Sequence, residues 1–519
     1  MEERVVSLYP KKKKGFLQIL FSRTAFAALA VVLQVALYIL IILLFSKYAA
    51  WFTAAMYLFS FILMFYLINS RMDSTAKMTW IFFMGIFPVG AALFYFFTRK
   101  SFGHRKLKEG VEKQIAVSKN VLSQDPEVLK ELEHSGADDL CRYINRSGCF
   151  PIYKNCEVTY YPLGELKFAA MLEELEKAEK YIFMEYFIVG EGYMWGRILD
   201  VLERKAKAGV MVRVMYDGMC EISLLPHDYP KRMKTLGIEC RSYAPLMPFV
   251  STHYNYRNHR KILVIDGKVA FNGGVNLADE YINRIDRFGH WKDTAVCIKG
   301  EAAESFTLMF MQMWNLFDGD LKYQDFLPEK NKLPVSANGY VMPFGDEPLD
   351  DDKVGEMVYM DILNRSKTYV HIMTPYLILD GELLCALKFA AERGVDVKII
   401  LPGIPDKAAA YSLAKTHYAS LLDSGVELYE YTPGFVHAKV FVCDDERAVV
   451  GTINLDYRSL YHHFECATYM YQTDCIKDIE EDYQETLSKC MRVSKETMKK
   501  DKLKYKILGP IFKILAPLM

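Results

Sequence analysis

His259-Arg-Lys261-Ile-Leu-Val-Ile-Asp266 is followed, after six more residues, by Gly273-Gly-Val-Asn276. His437-Ala-Lys439-Val-Phe-Val-Cys-Asp444 is followed, after the same six, by Gly451-Thr-Ile-Asn454. Five residue types recur at identical offsets, a match expected by chance on the order of once in ten thousand for a single copy. Two imidazoles, two ammonium groups and two carboxamides converging on one site suit metal-free phosphodiester chemistry. One imidazole attacks phosphorus and carries it as a phosphohistidine, and the other protonates the leaving alkoxide. Lys261, Lys439, Asn276 and Asn454 then neutralise charge on the non-bridging oxygens of the pentacoordinate transition state. No set of ligands at metal spacing accompanies them. His253 has no acidic or cysteine partner, so the expected chemistry uses neither metal nor cofactor.

These side chains need strands to aim them. Residues two apart on a strand share a face, which predicts that His259 and Lys261 point together, as do His437 and Lys439. Asp266-Gly267 is a hairpin signal and Asp444-Asp-Glu-Arg447 a looser one, and folding back there returns Asn276 and Asn454 to the level of their histidines. Asp266 and Asp444 fall seven residues from the histidines, the wrong parity for that face, and are expected to support the site by anchoring the turn or a neighbouring cation. Upstream of each motif the chain repeats a strand–helix–strand order: Tyr181–Phe187, a helix through Ile198, Val201 and Leu202, then Gly209–Val212. The second copy is Tyr369–Met373, a helix through Leu384, Leu387 and Lys388, then Gly394–Val397. This implies an α/β fold of two βαβ halves, one active site lying at their junction.

The duplicated H-x-K-x-x-x-x-D pattern resembles that of the phospholipase D superfamily. Several blocks resemble bacterial cardiolipin synthases more narrowly: Phe183–Phe187, Arg257–Lys261, His290–Thr294, Gly434–Lys439 and Asn454–Ser459, with Trp80, Pro88, Gly90 and Tyr95 near the N-terminus. The resemblance implies two sandwich halves about a pseudo-two-fold axis and transfer of a phosphatidyl group from one phosphatidylglycerol to another, releasing glycerol. It gives His259 the nucleophile's part and His437 the general acid's. It gives Glu465, and by analogy Asp293, the task of orienting a catalytic histidine. The chain departs from the family at Gly274, where many members carry serine, at an additional apolar segment Thr24–Ser46, and at Tyr461-His-His463, where a less polar, asparagine-containing run is expected.

Lys+Arg and Asp+Glu balance at 64 each, which speaks against a nucleic-acid partner. The scattered cysteines, eleven in number, suit a reducing compartment better than a disulfide framework. Thr24–Ser46, Tyr48–Ser70 and Met78–Thr98 lack charge and are long enough to cross about 30 Å of hydrocarbon, which predicts two or three transmembrane segments in a multi-pass protein of the cell membrane. The basic flanks, Lys11–Lys14 and Arg99–Lys108, both ask for the cytoplasmic side, an arrangement that three full crossings cannot satisfy. The expected organisation is a basic segment (1–23), a membrane region (24–98), a basic helical connection (99–150), two catalytic halves (151–335 and 336–493) and a basic amphipathic tail (494–519). The tail reads as an element lying on an anionic leaflet, the alternative being a helix packed on the enzyme's own core. Rival functions are a phospholipase D that passes the phosphatidyl group to water or another alcohol, a nuclease, and a membrane scaffold. Balanced charge disfavours the nuclease, and two complete motifs disfavour the scaffold.

Overall fold

The computed structural model describes residues 4–8, 39, 49–70, 72, 74–86, 90–92, 95–96, 104–245, 256–316, 319, 321–327, 337–350 and 352–518. The chain divides into two compact units, one of residues 1–9, 102–517 and 519 and the other of residues 10–101 and 518.

In the smaller unit the Ala49–Ile68 and Ser74–Ile86 helices pack through Leu63, Leu67, Trp80 and Met84, and Tyr95 sets its ring edge-on to Trp80 at 5.3 Å. The Ala49–Ile68 helix carries no charge over its 20 residues and exposes Trp51, Phe61, Ile62, Phe65 and Ile68. The expected transmembrane helices find no support among the described residues. Thr24–Ser46, apart from Ile39, lies outside the described residues, and some side chains of the Ala49–Ile68 helix do too. Within Met78–Thr98, residues 87–89, 93–94 and 97–98 lie outside the described residues, and the Ser74–Ile86 helix covers the start of the segment. Among the described residues no helix is long and apolar enough to cross a membrane.

The larger unit holds two mixed sheets of the same design. The first comprises β1 (Glu157–Tyr161), β2 (Tyr181–Tyr186), β3 (Met211–Asp217), β4 (Glu239–Tyr243), β5 (Lys261–Ile265), β6 (Val269–Gly273) and β7 (Ala295–Lys299) in the order β1-β7-β6-β5-β2-β3-β4. The second comprises β8 (Tyr340–Asp346), β9 (Tyr369–Met373), β10 (Asp396–Pro402), β11 (Glu427–Tyr431), β12 (Val440–Cys443), β13 (Arg447–Gly451) and β14 (His463–Tyr471) in the corresponding order β8-β14-β13-β12-β9-β10-β11. In each, three parallel strands joined by helical crossovers continue into an antiparallel meander. The short strands Tyr153–Lys154 and Cys490–Arg492 cap the second sheet, so the first residues assigned to one half serve the other. From residue 102 the basic connection, both halves and the tail through residue 517 fall within this one unit.

Alternation along the strands sorts the core. Ile182, Met184, Leu263 and Ile265 meet the Gly164–Glu176 and Tyr193–Lys207 helices on one face. Phe183, Ile262 and Val264 face the Ala303–Trp314 helix, whose Phe310 stacks on Phe183 at 4.5 Å. That second core runs on without a break into the second sheet. Both faces of the central strands are therefore covered, which is why they read as near-continuous apolar runs.

Two terminal segments dock on this body. Arg4 pairs with Asp200 and Glu203, Val6 N–H donates to the Gly196 carbonyl, and Ser7 and the Leu8 N–H donate to the buried Glu191. At the other end, the Leu503–Leu515 helix lies on the Ala408–Asp423 helix. A Cβ at Gly509 would sit 2.6 Å from the Ser412 carbonyl oxygen, and Lys415 bonds Asp501. The packed alternative thus describes one side of the tail, while Leu503, Ile507, Ile511 and Ile514 remain exposed on the other. The helix runs through Pro510, which leaves the Lys506 carbonyl without its usual partner.

Candidate active site

Each motif enters its site by crossing to the opposite half. Arg257–Asn258 is a short strand that pairs in parallel with the start of β14, Arg257 opposite His463 and Asn258 opposite Phe464. The register brings His259 to Glu465, and His259 N–H donates to the Phe464 carbonyl at 2.9 Å. Gly434–Val436 pairs in parallel with His290–Lys292, Val436 opposite Lys292, which brings His437 to Asp293. His437 N–H donates to the Lys292 carbonyl at 2.7 Å. The histidines therefore do not stand on the strands that carry Lys261 and Val440 onward, as the two-residue spacing predicted. They sit in the link where the backbone changes partner, because their N–H groups are taken by the other half.

The side chains complete the exchange. His259 Nδ1 lies 2.9 Å from both Glu465 oxygens, and His437 Nδ1 lies 2.7 Å from Asp293 Oδ2. A carboxylate on Nδ1 fixes the proton there and leaves Nε2 bare. Phe187 meets the His259 ring edge-on at 4.9 Å, and Tyr281 meets His437 edge-on at 5.5 Å. Thr452 donates its hydroxyl to Glu465. The equivalent Gly274 has no room for one, since a Cβ would lie 2.0 Å from Asp293 Oδ1. The departure at Gly274 thus makes space for the acid.

Burial governs the charge states. It pushes His259 well below the usual imidazole range, with Lys261 and His463 adding to the effect, and His437 to about 4, with Lys439 adding. Lys261 falls to about 7 and Lys439 to about 8, burial again leading. Burial would raise Glu465, but the hydrogen-bonded His259 and the nearby His463 hold it below the ordinary carboxylate range. Each lysine ammonium bonds the carbonyl of its own motif's histidine, Lys261 at 2.6 Å.

The remaining expected residues divide. Asp266 accepts the backbone N–H groups of Glu179, Lys180 and Tyr181, and Asp444 those of Lys367, Thr368 and Tyr369, all at 2.7–2.9 Å. They anchor the turns to the starts of β2 and β9, at the far end of the strand from the histidines. The second turn is not looser than the first: Asp444 and Asp445 take φ of 52 and 55, matching Asp266 and Gly267 at 53 and 67. Asn276 is spoken for by the Ile188 N–H and the Tyr281 hydroxyl. Asn454 keeps a buried, unbonded Oδ1. Residues to which motif reading gave no role in the site include Phe187, Tyr281 and His463. Only His463 left a signal, two residues from Glu465 and on the same face of its strand.

Among the described residues two groups place potential ligand atoms close enough to hold a metal ion: His259, His463 and Glu465, and Glu356, Asp380 and Glu382. In the first, Glu465 is already engaged by His259 and Thr452. In the second, the Lys353 ammonium lies 3.4 Å from Glu356.

A family model described as "Cardiolipin synthase, PLD-like domain" matches residues 171–314 and 359–487, both halves of this site. The chain belongs to that family. It is a phosphatidyltransferase of the phospholipase D type. A "Cardiolipin synthase" of Alkalihalophilus pseudofirmus is 32% identical over 86% of this chain and 89% of its own. An "Uncharacterized protein" of Streptococcus mutans serotype c is 57% identical over 88% of this chain and 99% of its own. A solved phosphatidylserine synthase of Haemophilus influenzae shares the fold, with a TM-score of 0.56 at 14% identity over 74% of this chain and 98% of that one.

Proposed function

We propose that the chain transfers a phosphatidyl group between two phosphatidylglycerol molecules, giving cardiolipin and glycerol. His259 Nε2 attacks phosphorus, and the bond to the leaving glycerol oxygen breaks with its electron pair on oxygen. His437 delivers the proton, having gained it as the bound phosphodiester anion offsets the burial of its imidazole. A second phosphatidylglycerol hydroxyl returns that proton to His437 and displaces His259. The observation that carries this reading is the reciprocal placement of His259 on Glu465 and His437 on Asp293, with both lysines beside them. The order of the two histidines rests on resemblance.

Membrane association belongs to this reading. The charge-free, exposed Ala49–Ile68 helix suits contact with lipid. Residues 4–8 and the chain from 102 onward lie in one unit. Any membrane region between them would then leave and return on the same side, which the basic flanks make the cytoplasmic one.

Phosphatidylglycerol alone, in EDTA, is expected to yield cardiolipin and glycerol at one to one. Phosphatidic acid as the only product would replace the transferase with a hydrolase. A strict need for phosphatidylethanolamine or a nucleotide-activated lipid would overturn the donor. His259→Ala is expected to abolish the phosphoenzyme, while His437→Ala slows turnover about 10²- to 10⁴-fold and is partly rescued by a substrate with an activated leaving group. Rescue of the His259 variant instead would exchange the roles.

A further inference from the structure

His463 opens β14 two residues before Glu465, so the two side chains leave the strand on one face. It is 8% exposed, yet neither ring nitrogen has a hydrogen-bond partner. Its ring centre lies 5.4 Å from that of His259 and 6.4 Å from that of Phe187, and its Nδ1 is 3.6 Å from Glu465 Oε1. The polar groups next to it are paired: Glu465 with His259 and Thr452, Lys261 with a carbonyl. A buried imidazole with both nitrogens unsatisfied is costly unless a partner arrives during function.

The direction of attack says which partner. Glu465 occupies His259 Nδ1, so Nε2 approaches phosphorus and the leaving oxygen departs on the opposite side. A group alongside the nucleophile faces the equatorial positions, where the non-bridging oxygens lie. Those oxygens only accept hydrogen bonds, so the group must donate. An imidazole carries at least one N–H, which is enough to donate to such an oxygen.

We propose that His463 is a substrate-contacting residue that donates a hydrogen bond to a non-bridging oxygen of the phosphodiester under attack, beside Lys261 and Lys439. The proposal rests on the phosphatidyl-transfer reading with His259 as nucleophile. His463 keeps its proton throughout: the bonds made and broken are those of His259, phosphorus and the leaving glycerol.

Wild type, His463→Gln, which retains a donor, and His463→Phe, which retains the ring packing without one, separate the possibilities. In buffer free of chelator, inhibition by vanadate, a pentacoordinate phosphate mimic, is measured beside rapid-quench phosphoenzyme formation and the thermal midpoint. His463→Phe is expected to weaken vanadate and slow phosphoenzyme formation by about 10- to 100-fold, His463→Gln by less, with midpoints unchanged. Wild-type vanadate inhibition and phosphoenzyme rate in His463→Phe would overturn the contact. So would equal losses in both variants accompanied by a lowered midpoint, which mark a packing role. Absence of a phosphoenzyme in the wild type would overturn the underlying reading, while the vanadate series would still test the oxyanion contact by itself.

Discussion

The two motif lysines hold their protons weakly because burial withholds water from their positive charge, and Lys439 adds to the effect on Lys261. Their pKa values are lowered, so the charged form prevails below about 7 for Lys261 and about 8 for Lys439 and is lost above. Sulfate keeps a constant charge over this range and serves as a simple anion probe. Its competitive inhibition constant is expected to rise at least about 10-fold between pH 6.5 and pH 9. Lys439→Arg is expected to flatten that rise, since a guanidinium stays charged. A constant value across the range in the wild type would show that the lysines remain protonated. The acids behind the histidines make a second residue-scale test. Glu465→Gln removes the charge that keeps the His259 proton on Nδ1 and is expected to slow phosphoenzyme formation on the order of 10²-fold or more. Asp293→Asn is expected to act on His437, and so to slow substrates with poor leaving groups far more than activated ones.

Among the elements, the C-terminal helix has two faces with separate duties. Gly509 lets it approach the Ala408–Asp423 helix, and a Cβ there would meet the Ser412 carbonyl at 2.6 Å. Alanine gains about 1 kcal/mol over glycine in helix propensity, but a clash against backbone costs about 1–3 kcal/mol. Gly509→Ala is therefore expected to destabilise the docked tail, seen as faster proteolysis between residues 499 and 515. The opposite face presents Leu503, Ile507, Ile511 and Ile514 between lysines 502, 504, 506 and 513. Apolar residues at helical spacing flanked by ammonium groups suit an anionic leaflet. Ile507→Glu with Ile511→Glu is expected to lower activity on phosphatidylglycerol bilayers far more than on detergent-dispersed lipid. Equal activity on bilayers before and after the change would leave the stripe without that duty. The same division explains why sequence reading placed the tail on the membrane: the stripe was legible, whereas the close approach at Gly509 depends on a helix almost a hundred residues upstream.

At the scale of the whole molecule, neither half owns a complete site. The first supplies His259 and the acid for His437, and the second supplies His437 and the acid for His259. One continuous apolar core spans both, so the exchange is built into the fold of a single chain. Mixing full-length His259→Ala and His437→Ala proteins is accordingly expected to restore no activity at any ratio. Recovery would show that halves from different chains combine.

The sequence by itself determined which side chains the two motifs repeat and how strands and helices alternate in the scaffold. Two motifs at identical offsets, strands that read as near-continuous apolar runs and turn residues able to take positive φ are local features, and local geometry follows from them. His259, Lys261, His437 and Lys439, the strand–helix–strand order and the supporting place of Asp266 and Asp444 were all legible for that reason. Tertiary structure alone decided which acid serves which histidine, since that depends on the parallel register of Arg257–Asn258 on β14 and of Gly434–Val436 on His290–Lys292. It also decided that the histidines lie between strands, that Gly274 makes room for Asp293, and that His463 shares the wall with His259. Each of these contacts joins residues dozens to hundreds of positions apart. No spacing along the chain encodes such a distance, because the packing of one half on the other sets it.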